Sequence, residues 1–337
     1  MKKIPVEQSV GQSLCHDVTK IEGEFKGVLY KRGHIVTAED VEILKNNGKY
    51  HVFVWEDRTD EIHEEDAAIK LARAAAGPNI TFSQPSEGKV TLSSKVRGLF
   101  TVKGDVLTTI NMIPDITITS LPGNFVVEEG GKLAGARIVP LVTKRDNVVR
   151  ATALARGHAP LFEVIPFQKL AAGIIITGSE IYDGRIQDRF EPVIRNKLDL
   201  FGADVLGTVK CPDSAMAIKE AIHDFRDKKA GLIILTGGMS VDPNDCTPDA
   251  VRESGANIVT YGVPTQPGNM LLFAYLGDTA LFGIPSAAIH NKITSFDVFL
   301  PRVFAGQTLT KQDFASVGAG GLCLGCDDCT YPVCCFV

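Results

Sequence analysis

Long apolar runs alternate with amphipathic segments in the C-terminal half of the chain. Gly173-Ile174-Ile175-Ile176 is almost wholly apolar, as is typical of a strand buried on both faces of a parallel sheet. Similar strands are predicted at 204–209 and 232–235. Between them, apolar residues recur at helical spacing over 193–201 and 218–225. The order strand, helix, strand, helix, strand predicts an α/β fold with a mostly parallel sheet sandwiched by helices.

The pattern of alternating elements continues to residue 304. A helix is predicted from Thr247-Pro248 to Gly255, because Thr and Pro are common at helix starts and Gly at helix ends. Residues 270–275 and 279–282 have the spacing of a β-hairpin. Ser286 is then predicted to open one long helix that ends at Phe304.

The N-terminal half has a different pattern. Thr37 and Asp40 form a capping-box pattern in front of a helix predicted at 38–47, and a second helix is predicted at 60–76. From residue 90 to 149, short β-rich runs are separated by Gly, Pro and Asn. We expect strands at 99–102, 106–110, 116–119 and 137–142.

Composition indicates a folded protein with several domains. The 337 residues are enough for two or three domains, and 45% hydrophobic with 22% charged residues exclude a disordered or fibrous chain. We expect a small α+β region at 1–60, a helix plus a β-rich domain at 61–166, the α/β domain at 167–310 and a cysteine-rich tail at 311–337.

Charge and hydropathy exclude several classes of partner. The net charge of -5 offers no general attraction to nucleic acid or to an anionic membrane, so we expect neither as a partner. No apolar stretch is long enough to span a membrane, and the first residues lack the apolar core of a signal peptide. We therefore expect a cytoplasmic location.

Glycine-rich polar loops follow the predicted strands of the α/β domain. The first strand is followed by Thr177-Gly178-Ser179-Glu180, and the third by a loop from Thr236 to Asp245 that contains Gly237, Gly238, Ser240 and Asp242. Loops with Pro267-Gly268 and with Pro285-Ser286 recur at equivalent positions. Ligands of open parallel sheets bind beyond the carboxyl ends of strands, where glycines let the backbone approach and hydroxyls donate to phosphate oxygens. The loops together predict a phosphate site.

Taken singly, each of these features also has an ordinary structural explanation. Gly237-Gly238 is common in tight turns, Asp213 next to Ser214 is a good helix N-cap, and Glu180 is favoured in a first helical turn. The recurrence of such loops at several strand ends is what favours a shared site.

The carboxylates of the loops predict a divalent cation. Glu180, Asp213, Asp242 and Asp245 would repel a phosphate unless a cation lay between them. Magnesium accepts one or two carboxylates and shares its other positions with water and phosphate. We expect Asp245, with Asp242 or Glu180, nearest to Mg²⁺.

The loops also resemble a known family. Their order and spacing over residues 170–306, including Asp188 and Gly202, resemble the molybdopterin-binding domain of molybdenum cofactor biosynthesis proteins. That family includes the molybdopterin adenylyltransferases of the MogA type. It also includes the molybdopterin molybdotransferases, such as MoeA and the E domain of gephyrin. The start of the chain, residues 5–17, is similar to the opening of the molybdotransferases.

The resemblance implies a ligand and a set of functional residues. The crevice would bind molybdopterin or adenylylated molybdopterin with magnesium, and molybdate for its insertion, with Glu180, Asp213 and Asp245 as catalytic residues. The family's active site uses a second subunit, which implies a homo-oligomer, a dimer or a trimer. The residues placed on the ligand are Thr177, Gly178, Ser179, Asp188, Thr236, Gly237, Gly238, Ser240, Pro267, Gly268, Pro285 and Ser286.

Three departures from the family pattern keep other functions open. The family usually has Asp at the position of Ser179, Lys at the position of Asn269, and Pro-Gly-Asn-Pro in place of residues 285–288. Losing the lysine removes a cation that would stabilise developing phosphate charge. Molybdate insertion is the leading hypothesis. The alternatives are a non-catalytic molybdopterin carrier or sensor, and a nucleotide pyrophosphatase on the same fold.

Cysteines crowd into the last fifteen residues. Cys323, Cys326, Cys329 and Cys334 have the spacing C-x2-C-x2-C-x4-C, which resembles the ligand run of bacterial ferredoxins but has one extra residue before the last cysteine. With Cys334 or Cys335 as the fourth ligand, four thiolates can hold zinc or an iron-sulfur cluster, and an unligated or oxidised tail is the third interpretation.

Overall fold

The computed structural model describes residues 1–22, 25–54, 59–239 and 245–337; for residues 21, 22, 25 and 26 only the backbone is described. The predicted site residues Ser240 and Asp242 lie outside these ranges. The chain divides into two compact units, Met1–Val164 and Ile165–Val337. Among the helices within the described ranges, none is long and apolar enough to cross a membrane.

The first unit combines short strands with four helices in the part of it that is described. Apolar side chains of residues 4–54 form one cluster, and those of residues 62–164 form another. Its elements are β1 (Lys2–Pro5), a 3-10 turn (Val6–Gln8), β2 (Val18–Glu22), β3 (Phe25–Tyr30), α1 (Ala38–Asn46), β4 (His51–Val54), β5 (Glu61–His63), α2 (Glu64–Ala75), β6 (Ile80–Phe82), β7 (Lys89–Ser94), β8 (Gly98–Val102), α3 (Gly104–Asn111), β9 (Ile116–Ser120), β10 (Phe125–Val127), β11 (Lys132–Ile138), β12 (Val142–Lys144), α4 (Arg145–Gly157) and β13 (Phe162–Pro166).

The strand predicted at 106–110 is wrong, because this segment is helix α3. The Thr108 and Thr109 hydroxyls donate to carbonyl oxygens four residues earlier, and Ile110 is fully buried. β-branched residues favour strands only where the packing suits them. Helix α4 was not predicted either, so the β-rich region ends earlier than expected. The helix predicted at 38–47 is confirmed as α1, with the capping box in place.

The second unit contains the predicted α/β fold. Its elements are β14 (Ala171–Thr177), α5 (Ser179–Tyr182), α6 (Phe190–Asp199), β15 (Asp204–Cys211), α7 (Ala215–Asp227), β16 (Leu232–Thr236), α8 (Thr247–Glu253), β17 (Asn257–Tyr261), β18 (Leu272–Leu276), β19 (Thr279–Ile284), α9 (Ala287–His290), α10 (Ser295–Phe304) and α11 (Lys311–Ser316).

These strands form one six-stranded sheet in the order β15-β14-β16-β19-β18-β17. The pairs among the first four strands are parallel, and the β19–β18 and β18–β17 pairs are antiparallel. The predicted fold class is therefore confirmed. The chain passes from β14 to β15 on one side and then to β16 on the other. This reversal places a crevice beyond the carboxyl ends of β14 and β16, where open α/β sheets bind ligands.

Alternate side chains of β14 enter two different apolar clusters. Ile174 and Ile176 pack in the cluster that contains Ile194 of α6, while Ile175 packs in the cluster that contains Ile218 of α7. All three isoleucines of β14 are fully buried. A strand with two covered faces accounts for the uninterrupted apolar run in the sequence.

The long helix predicted from Ser286 to Phe304 is wrong, because α9 ends at His290 and α10 begins at Ser295. A capping box starts the second helix: the Thr294 N–H and hydroxyl donate to Asp297 Oδ2 at 2.8 and 3.2 Å. A capping box satisfies the free N–H groups of a new helix start and ends the preceding one.

Asp297 also joins two helices that flank the crevice. Its carboxylate pairs with Lys197 of α6, and both side chains are 11% exposed. Lys197 Nζ also donates to the Lys292 carbonyl at 2.9 Å, so one cation holds α6 against the start of α10.

We predict that Lys197→Met lowers the free energy of unfolding by about 3 kcal/mol, because it leaves the buried Asp297 carboxylate without its cation. Urea denaturation followed by circular dichroism measures the change. The matched control is Lys228→Met, which breaks a half-exposed pair with Asp224 on α7 and should cost less than about 0.5 kcal/mol. Equal losses in the two variants would contradict a structural role for the buried pair.

Candidate functional site

Three threonines lock together the loops at the carboxyl ends of β14 and β16. The Thr177 hydroxyl donates to the Thr236 carbonyl at 2.9 Å and lies 3.3 Å from the Thr247 hydroxyl. Thr247 Oγ1 in turn donates to the Gly237 carbonyl at 2.9 Å. All three threonine residues are buried. The predicted switch-point loops therefore meet in one hydrogen-bonded structure.

Gly237 and Gly238 fit this structure only because they lack side chains. Both have positive φ, +82° and +54°. A Cβ on Gly237 would lie 2.2 Å from the Thr177 carbonyl oxygen, and one on Gly238 would lie 2.7 Å from Thr247 Oγ1. The turn is thus pressed against the end of β14, which goes beyond the needs of an ordinary tight turn.

Ser179 and Asp213 join the loops that follow β14 and β15. The Ser179 N–H donates to Asp213 Oδ2 at 2.9 Å, and the Asp213 N–H donates to Ser179 Oγ at 3.1 Å. The ordinary explanation of Asp213 as an N-cap is wrong, because Ser214 caps α7 by accepting from the Ala217 N–H. Asp213 is held instead at the edge of the sheet, with one carboxylate oxygen used by the neighbouring loop.

The negative charges of Asp213 and Asp245 both influence the pKa of the Cys246 thiol. Burial raises the pKa of Cys246, and the negative charges of Asp213 and Asp245 raise it further. Burial also raises the pKa of Tyr261, and the charge of Asp245 adds to that effect. The Tyr261 hydroxyl donates to the Met239 carbonyl at 2.8 Å. Two of the three predicted catalytic carboxylates therefore share one neighbourhood.

Sequence reasoning missed Cys246, Thr247 and Tyr261 as members of the site. Cys246 follows Asp245 directly, and Thr247 opens α8, so their place in a strand-end loop was a usable signal. Tyr261 comes from β17 at the far edge of the sheet, and its contact with the loop has no local sequence signal.

The remaining residues of the first loop have less central positions. Glu180 is exposed, and its Oε1 lies 2.9 Å from where a Cβ of Gly178 would be. Asp188 Oδ1 accepts the N–H of Phe190, the first residue of α6, at 2.8 Å, so its carboxylate is used within its own chain segment. Ser286 is exposed at the start of α9. Helices α5 and α9 have four residues each, so their dipoles are too small to hold an anion alone.

The Pro267-Gly268 loop is held by the start of α10. Ser295 Oγ donates to the Gly268 carbonyl at 2.6 Å, and the Ser295 N–H donates to the Pro267 carbonyl at 3.3 Å. A Cβ on Gly268 would lie 2.6 Å from Ser295 Oγ. This loop therefore has one position relative to α10.

One buried hydroxyl at the sheet edge has no hydrogen-bond partner within the described ranges. Thr236 is fully buried, and its Oγ1 makes no hydrogen bond there. Unsatisfied buried hydroxyls are uncommon and call for an explanation. Thr236 is the last residue of β16, directly before the Gly237-Gly238 turn.

The described residues contain no group of three or more His, Cys, Asp or Glu side chains that could hold a metal ion. Magnesium needs only one or two protein carboxylates when water and phosphate supply its other ligands. Asp213 and Asp245 have the hard oxygen donors that this ion prefers, so these two carboxylates are suitable protein ligands for magnesium.

We predict that Gly237→Ala lowers the free energy of unfolding by about 3 kcal/mol or more, because the new methyl group would collide with the Thr177 carbonyl. Gly255→Ala is the matched control: its φ is +85°, nearly the same, but nothing lies within 4 Å of a new Cβ. That control should cost only the backbone term of about 1 kcal/mol. Equal costs, measured by urea denaturation, would show that the turn is not pressed against β14.

We also predict that Asp213→Asn speeds alkylation of Cys246 by iodoacetamide at pH 8. Removing the negative charge lowers the pKa of the thiol, so more thiolate is present and the rate should rise by about twofold or more. Peptide mapping by mass spectrometry isolates Cys246 from the other cysteines. Asp224→Asn, which removes an exposed carboxylate of α7, is the control and should leave the rate unchanged. An unchanged alkylation rate in Asp213→Asn would show that the charge of Asp213 does not raise the pKa of Cys246.

Two family models match the chain. Residues 173–305 match a family described as "Probable molybdopterin binding domain", and residues 3–56 match one described as a domain of unknown function (DUF8806). The first match includes the strand-end loops that follow β14, β15, β16 and β19.

Two relatives and one solved structure that resemble this chain have names that refer to molybdopterin. The chain is 25% identical over 165 residues to a molybdopterin molybdenumtransferase of Synechococcus elongatus, and 29% identical over 179 residues to one of Staphylococcus aureus. These alignments cover 46% and 48% of this chain but only 40% of each relative. The molybdopterin biosynthesis enzyme MoaB of Thermus thermophilus is 19% identical, and the match covers 41% of this chain and 98% of that structure, with a TM-score of 0.33. Residues 173–305 are therefore similar to the probable molybdopterin-binding domain of molybdenum cofactor biosynthesis proteins, and the chain spans less than half the length of the molybdenumtransferases it matches.

Proposed function

We propose that the second unit binds molybdopterin or adenylylated molybdopterin with Mg²⁺ and supports the insertion of molybdate. The observation that carries the proposal is the interlock of Thr177, Thr236 and Thr247 at the switch point of the sheet. It joins hydroxyls and a glycine turn at the edge where parallel sheets bind phosphorylated ligands. The family match to this region and the molybdenumtransferase relatives support the choice of ligand.

The phosphate of the pterin would lie against the Gly237-Gly238 turn. A glycine turn leaves its backbone N–H groups open to an approaching anion, and the Thr236 hydroxyl adds a donor that no described residue uses. Because α5 and α9 are single turns, these local donors and a bound cation must supply the positive field. We propose the same role for the backbone at Gly178 and Gly268.

The carboxylates would act at the metal end of the ligand. Asp213 is fixed through Ser179, and Asp245 is near enough for its charge to raise the pKa of the Cys246 thiol. We propose that Asp245 holds Mg²⁺ together with Asp242 or Glu180. When bound, magnesium neutralises phosphate charge and stabilises the leaving AMP. The high pKa of Cys246 keeps its thiol neutral beside these acids, so it adds no further negative charge at neutral pH.

Because Asn269 is uncharged, we expect the reaction to be slow. Asn269 is exposed at the end of the Pro267-Gly268 loop, where the family pattern has a lysine. A neutral amide cannot stabilise developing phosphate charge as a cation does. We therefore propose that the protein binds the pterin normally but converts it slowly. We also propose that it is a cytoplasmic homo-oligomer.

AMP release tests the proposal directly. The full chain is incubated with adenylylated molybdopterin, Mg²⁺ and molybdate, and we predict that AMP is released and that Asp245→Asn slows the release by about a hundredfold. Asp224→Asn, on the surface of α7, should release AMP at the normal rate. Binding is measured separately, by mass spectrometry of the pterin that stays with the protein through gel filtration.

Two results would contradict molybdate insertion. Equal AMP release in the normal protein and in Asp245→Asn would remove the carboxylate from the reaction. Tight pterin binding without any AMP release would indicate a molybdopterin carrier instead.

A further inference from the structure

The cysteine-rich tail is folded against the second unit. The Gln266 N–H donates to the Gly321 carbonyl at 2.7 Å, and the Cys323 N–H donates to the Gln266 carbonyl at 2.8 Å. At the other end, the Val337 N–H donates to the Gly320 carbonyl at 3.0 Å. Phe336 is 2% exposed and packs in the apolar cluster that contains α6 and α10. The segment is therefore a closed loop, anchored at both ends.

This loop encloses a cavity of about 280 Å³ that is lined by all four cysteines of the ferredoxin-like run, Cys323, Cys326, Cys329 and Cys334. None of these cysteines is in a disulfide, so each has a free thiol. Cys335, the next residue along the chain, does not line the cavity. Four of the five cysteines of the tail therefore line one cavity, and Cys335 is not among the lining residues.

The size of the cavity and the order of the cysteines in the sequence favour a cluster over a single ion. A tetrahedral zinc site has Zn–S bonds of about 2.3 Å, so its four sulfurs must lie within about 4 Å of one another. An iron-sulfur cube has its own bulk of four irons and four sulfides, and it takes one thiolate at each corner. A cavity of about 280 Å³ has room for that bulk, and the C-x2-C-x2-C run that lines it is the one found in bacterial ferredoxins.

The rest of the lining suits an anionic cluster. Four thiolates give such a cluster a net negative charge, and Lys292, from the segment between α9 and α10, lines the same cavity together with His290 at the end of α9. Ile293 and Phe336 add apolar surface to the lining. Asp327 is the one acidic side chain in the lining.

Tyr331 closes the cavity on the side of the domain core. Its hydroxyl lies 3.5 Å from the Asp297 carbonyl, and its ring meets that of Phe336 edge to face at 6.2 Å. These two contacts hold the Tyr331 ring against the wall beside the thiols.

We propose that the tail binds a [4Fe–4S] cluster through Cys323, Cys326, Cys329 and Cys334, in the cavity between the tail and residues 290–293. The inference rests on the cavity and its thiols, and is independent of the pterin ligand of the neighbouring crevice.

The test uses the full chain, purified without oxygen and reconstituted with ferric iron, sulfide and a thiol reductant that reduces half of the iron to the ferrous state. We predict about four irons and four sulfides per chain, with the visible charge-transfer absorption of a cubane cluster. Cys326→Ser and Cys329→Ser should lose most of the bound iron and the absorption. Cys335→Ser is the matched control, because it removes a thiol of the same tail that lies outside the cavity, and it should keep both.

Three results would overturn the assignment. One is loss of iron in Cys335→Ser to the same extent as in Cys326→Ser, which would indicate unspecific binding by thiols. Another is one zinc per chain with no iron-sulfur absorption. The third is a protein that is folded by circular dichroism but takes up neither metal. Circular dichroism of each serine variant confirms that loss of iron does not reflect unfolding.

Discussion

Thr177 is the constraint on which the second unit's binding edge depends. It ends a strand whose two faces are both covered, so its hydroxyl is shielded from water and must bond to protein. That bond ties β14 to the loop of β16 and brings Gly237 against the strand, where only glycine fits. The loops that face the ligand therefore take their positions from the sheet, which is the most rigid part of the unit.

Local patterns were enough to predict the sheet and most of its loops. The β-branched run from Ile174 to Ile176 is typical of a strand with two covered faces, and its alternation with amphipathic helices along the chain supports that interpretation. Once the parallel order is known, the carboxyl ends follow, and so does the convergence of Thr177 with Thr236. The family resemblance then named the same loops from their spacing.

The parts that could not be predicted depend on contacts far apart in sequence. Asp213 looked like a helix cap, and only the fold reveals that it bonds to Ser179, 34 residues earlier. Residues 106–110 are too few for their period to distinguish a strand from a helix, and the burial of Ile110 decides between them. The break before α10 did leave a local signal, the capping box of Thr294 and Asp297.

The capping box at α10 has a consequence for the crevice. The Asp297 carboxylate forms an ion pair with Lys197 of α6 and accepts the N–H of Thr294. The next residue, Ser295, donates hydrogen bonds to the carbonyls of Pro267 and Gly268. The Asn269 carbonyl is also bonded, to the Val263 N–H at 2.9 Å. Position 269 thus projects from a backbone that is braced on both sides. A substitution that introduced a positive charge there would change a single side chain without disturbing these backbone hydrogen bonds, so the chemistry of this edge can change while its architecture is kept.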